Sequence, residues 1–189
     1  MTSYLVRILE RERAARHARS IPLAAVTVAL VVLAAVGRYL RLPGLWDAFL
    51  PGLTFLLVVA AMAVQRALRG AGNGRDGYGL VAVGLLLVPF LPFGLVAPLF
   101  VGAEALLGAG LVVLGWRGRD RGLWVPGLVL LALGPFVHLN GAAITLFWLP
   151  ADPGVAVRVA TAVAFAVLTG RAIRIERRRS TPVPAEVPA

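Results

Sequence analysis

The sequence predicts an all-α integral membrane protein, a bundle of six transmembrane helices with both termini in the cytoplasm, and three observations carry that prediction. Of 189 residues, 59% are hydrophobic and 15% charged, with a mean hydropathy of +0.85, too apolar a balance for a soluble domain of this length. The long apolar runs lack the period-2 alternation of barrel strands, and a chain that must satisfy its own backbone in lipid then does so as helices. The arginines gather on alternate connections between those runs, as the positive-inside rule requires.

Residues 1–20 form a basic N-terminal tail in which Leu5, Ile8 and Leu9 fall at helical spacing among five arginines. It reads equally as an interfacial amphipathic helix on anionic lipid or as a short tail that fixes topology. The membrane domain is expected over 21–173, with spans at about 21–37, 48–65, 79–95, 99–115, 123–139 and 155–170. The long basic lead-in and the following Gly37-Arg38-Tyr39-Leu40-Arg41 argue for a retained first span rather than a cleaved signal peptide. A turn over residues 42–47 leads to the second span, and the polar, glycine-rich segment 70–77 to the third. Pro89 and Pro92 remove backbone donors and are expected to kink or end that third helix, leaving its outer end the least defined boundary.

Spans four and five make a hairpin around the connector Trp116-Arg117-Gly118-Arg119-Asp120-Arg121-Gly122. Residues 140–153 are expected as an outer loop whose apolar centre, 142–149, is too short to cross and either lies in the interface or dips back in. After span six, residues 174–189 read as a basic and then proline-rich disordered tail. On this arrangement 16 of the 19 basic residues, all of them arginine, lie inside, and only Arg38, Arg41 and Arg158 fall on the outer half. Trp116 and Trp124 then mark the inner interface, and Trp46 and Trp148 the outer one.

The absences narrow the chemistry. There is no cysteine and no lysine, which removes thiolate, Schiff-base and P-loop chemistry. Ser3, Ser20 and Ser180 are the only serines and lie outside the spans, so a serine hydrolase has no nucleophile in the bilayer. The net charge of +10 sits at segment ends rather than along a stripe interleaved with aromatics, so anionic headgroups and not nucleic acid are the expected partner.

Ionisable residues inside apolar runs are functional candidates by default. They are Glu104, His138 and Arg158, with Asp152 able to join from the outer loop. At ~1.5 Å per residue all three run-internal groups fall about 18–21 Å from the inner boundary. Glu104, Gly108, Leu111 and Gly115 share one stripe of span four, and His138, Gly134, Leu131 and Gly127 repeat that spacing in reverse on span five. Glycine stripes let membrane helices approach closely, so Gly108, Gly115, Gly127 and Gly134 are expected to pack and to bring Glu104 toward His138. Glu104 is read first as a structural ion-pair or hydrogen-bond partner of Arg158 or His138. A metal set of Glu104, His138 and Asp152 lacks motif spacing, so no metal or cofactor is expected.

The expected function is that of a small multi-pass protein of a bacterial inner membrane, a non-enzymatic accessory or interaction component with a membrane-protein partner or a second copy of itself. The alternative is a small transporter or channel-like protein in which Glu104, His138 and Arg158 handle a proton or ion.

Overall fold

A computed structural model describes residues 19–39, 45–69, 77–92, 100–144 and 153–180. Every regular element among them is helical and none is a strand. In chain order they are α1 (Ser20–Tyr39), α2 (Leu45–Arg69), α3 (Tyr78–Leu87) with a 3-10 turn at Val88–Phe90, α4 (Ala103–Arg117), α5 (Arg121–Ile144) and α6 (Pro153–Ser180). Two stretches, Asp47–Gln65 in α2 and Val155–Arg178 in α6, are long and apolar enough to cross a membrane.

Successive helices reverse direction. Ser20 and Thr27 of α1 meet Glu176 and Thr169 of α6, the second contact seven residues later on α1 and seven earlier on α6, so the two helices run antiparallel in register over two turns. Gly52 near the start of α2 sits under Leu86 at the end of α3. Gly77, at the start of α3, lies against the guanidinium of Arg117 at the end of α4. The starts of α1, α3 and α5 and the ends of α2, α4 and α6 therefore share one end of the molecule, the turn end.

The innermost helix is α4, whose Ala103, Glu104, Ala105, Leu107, Gly108, Gly110, Leu111, Leu114 and Gly115 are all buried. Glycine makes that possible at close quarters. A Cβ at Gly108 would lie 2.5 Å from Leu131 N and 2.6 Å from Gly127 O, and one at Gly134 would lie 2.6 Å from Ala105 N. At Gly115 the obstacle is Trp124 N, and at Gly110 it is the Phe55 ring, which α2 inserts into the notch. Phe55 is fully buried, with Leu30, Leu107, Leu111, Leu114 and Leu130 around the same core.

Several expected boundaries move, each for a local reason. The third helix stops with the 3-10 turn at Val88–Phe90, where Pro89 has no N–H and Leu91 turns extended (φ −73°, ψ 153°), not at 95. At 10 residues, α3 is well short of the ~20 that a bilayer core requires. The fourth is not one helix from 99: Gly102 adopts φ 79°, and α4 begins after it at Ala103. The second starts at Leu45, within the expected turn, and the fifth runs through Pro135 to Ile144, so residues 140–144 are helix and not outer loop. The sixth continues through the basic segment to Ser180, so 174–180 is not a disordered tail. The N-terminal tail to residue 18, the 70–76 segment, Trp148, Asp152 and residues 181–189 lie outside the described residues, as do the side chains of Trp46 and His138.

Candidate functional site

Glu104 occupies the first turn of α4, where the partial positive charge of a helix N-terminus favours a carboxylate. Arg158 occupies the second turn of α6. The antiparallel placement brings them together at the end opposite the turn end, and Arg158 Nε donates to Glu104 Oε1 at 2.6 Å. The Glu104 side chain is 4% exposed and that of Arg158 19%, so the carboxylate is interior and its partner is the less deeply buried of the two. The pair is monodentate: Oε2 is buried and has no hydrogen-bond partner among the described residues. A Cβ at Gly102 would stand 3.0 Å from Oε2 and 3.2 Å from Gly134 O. The positive φ of Gly102 and this crowding both require glycine there.

Of the four residues expected to cluster, Glu104 and Arg158 are brought together, whereas Asp152 and the His138 side chain lie outside the described residues. Among the described residues no group of three His, Asp or Glu side chains is arranged to hold a metal ion. The four stripe glycines all lie on the α4–α5 contact. Trp116 is 78% exposed and lies at the turn end, as does the half-buried Trp124.

A second polar assembly, at the turn end, has no counterpart among the sequence expectations. Asp120 is 6% exposed and forms an ion pair with Arg19 through its Oδ2 and the Arg19 Nε. Its Oδ1 accepts from Gly122 N at 2.8 Å, and its carbonyl accepts from Leu123 and Trp124, so Asp120 caps α5. The same residue closes α4, because its N–H donates to Gly115 O at 2.7 Å while Arg119 N donates to Trp116 O at 3.0 Å. That is a Schellman closure, with Arg119 at φ 50° in the left-handed position that glycine usually fills. Beside it, Ser20 donates from both N and Oγ to the carboxylate of Glu176, at 3.0 and 2.6 Å. The arrangement ties the start of α1 to both the α4–α5 turn and the end of α6.

Deeper along the α1–α6 seam, Thr27 and Thr169 each donate to the carbonyl four residues back, and their hydroxyl oxygens stand 3.2 Å apart. Thr54 and Thr161 bond back in the same way, so these hydroxyls are satisfied without water. The signal for the Asp120 cap was present in the sequence as an Asp three residues before the apolar run that opens at Leu123. Nothing local announces its arginine partner, which lies 101 residues earlier in the chain. No family model, curated protein or solved structure matches the chain.

Proposed function

We propose that the chain is a multi-pass protein of a bacterial inner membrane, with six helices across or within the bilayer, its turn end toward the cytoplasm, and the role of a non-enzymatic accessory or interaction component. The observation that carries this reading is the distribution of apolar side chains. Leu53, Leu57 and Val64 of α2, Val83 and Leu87 of α3, Val129 and Phe136 of α5, and Val159, Val163 and Val167 of α6 are all exposed, whereas the buried Glu104 and Asp120 are each ion-paired. An apolar exterior around paired interior charges suits a hydrocarbon solvent and is unfavourable in water.

The accessory role is tested by affinity isolation in a mild detergent after in-cell cross-linking. A stoichiometric membrane-protein partner, or a defined homo-oligomer, is the expected outcome, and repeated recovery of an isolated single chain overturns it. A second reading, a small transporter or channel-like protein, is favoured by one observation only, the buried Glu104 Oε2 with no hydrogen-bond partner among the described residues. It requires a proton or ion flux in proteoliposomes that Glu104→Gln abolishes while the protein stays folded.

A further inference from the structure

The charge at the turn end is one-sided. Arg19, Arg117, Arg119, Arg121, Arg171, Arg174, Arg177 and Arg178 gather there against only two described carboxylates, Asp120 and Glu176. Both carboxylates are already engaged, Asp120 by Arg19 and Gly122 N, and Glu176 by Ser20. Arg117, Arg119 and Arg121 flank the α4–α5 turn, while Arg171 and Arg174 stand on the last turns of α6. All five are exposed, and none has an ion pair among the described residues.

Apolar groups are interleaved with these cations. Trp116 directly precedes Arg117, and Ile173 and Ile175, 36% and 49% exposed, bracket Arg174. A ligand that is only an anion, such as inorganic phosphate, has no use for the indole and the isoleucines. A single-stranded nucleic acid would need bases stacked on several exposed aromatic faces, and among the described residues at this end only Trp116 is an exposed aromatic. An anionic phospholipid matches both features, because its phosphodiester lies at the depth of a guanidinium and its acyl chains at the depth of the neighbouring aliphatic side chains.

We propose that this end of the molecule, with Arg117, Arg119 and Arg121 of the turn and Arg171 and Arg174 of α6 exposed on it, is a docking surface for anionic phospholipid, the arginines meeting headgroup phosphates while the acyl chains lie against the neighbouring apolar side chains. The proposal rests on the membrane reading above and narrows it from a leaflet in general to a lipid class and a set of residues. The Arg19–Asp120 and Ser20–Glu176 contacts tie the start of α1 to both elements, so the turn and the end of α6 present their arginines at the same end of the molecule.

The test uses the full chain purified in an uncharged detergent and titrated separately with phosphatidylglycerol, phosphatidylcholine, inorganic phosphate and a short single-stranded oligonucleotide. Lipid phosphorus retained through gel filtration and the thermal midpoint are read together. Phosphatidylglycerol is expected to be retained and to raise the midpoint, and the other three to do neither. Arg117→Gln, Arg171→Gln and Arg174→Gln are each expected to raise the half-saturating phosphatidylglycerol concentration about fivefold, from ~1 kcal/mol per arginine at the headgroup surface. Equal retention of the two lipids, or an equal midpoint shift with phosphate or oligonucleotide, overturns the proposal. Should a variant fail to fold, the wild-type comparison of lipids decides alone. Solubility without detergent would defeat the membrane reading itself, whereas a detergent-dependent protein indifferent to phosphatidylglycerol defeats only the docking site.

Discussion

At the scale of single residues, the Glu104–Arg158 pair is an expensive feature. Bringing a carboxylate and a guanidinium out of water costs several kcal/mol per ion, and one bond at 2.6 Å, with no hydrogen bond to Oε2 among the described residues, recovers that only in part. Removing one partner is harsher still, because it strands the other charge. Glu104→Gln is therefore expected to lower stability by about 3 kcal/mol, and a double-mutant cycle with Arg158→Gln to show coupling of roughly 1–3 kcal/mol in denaturant unfolding. Additive losses would show that the two side chains do not support one another. Both members were legible in the sequence as charges inside apolar runs at matching height. Asp120 was not, because an aspartate in a connector is ordinarily solvated, and its burial arises only when Arg19 arrives from the start of α1.

At the scale of elements, the α4–α5 hairpin is held by absent side chains. The backbones approach so closely at Gly108, Gly127 and Gly134 that a single methyl would meet backbone atoms at 2.5–2.9 Å, and backbone cannot yield as a flexible side-chain tip can. Gly108→Val or Gly127→Val is expected to separate the helices and cost about 2–4 kcal/mol by overpacking, read as loss of cooperative thermal unfolding. Gly84→Ala, where a Cβ meets nothing within 4 Å, is expected to be neutral or slightly stabilising through helix propensity. Equal damage at Gly84 and Gly108 would refute the close-packing account. The stripes were readable because glycines seven residues apart, on positions stepped by four, three and four, fall on one face of a helix. Helix ends were less readable. Arginine is a good helix former, so α6 continues through the charges that had suggested a tail, whereas the break before α4 depends on the backbone angle of Gly102, which composition does not reveal.

At the scale of the whole molecule, the two ends differ in kind. The turn end is crowded with guanidinium groups, while the opposite end carries the neutralised Glu104–Arg158 pair. An insertion apparatus that retains positive charge would orient such a molecule with the turn end inward. The chain has no cysteine, so single replacements give an unambiguous readout. Arg121→Cys in intact cells is expected to resist a membrane-impermeant maleimide and to react once the cells are opened, and Asp47→Cys to react from outside. The reverse pattern would invert the topology. The α1–α6 seam joins positions 156 residues apart, so α1 is synthesised well before α6, and its serine and threonine find their mates only after the four helices between them have been made. Until that late closure the nascent bundle stands ajar along one side, which is when a chaperone or a second membrane protein would have its best opportunity to engage it.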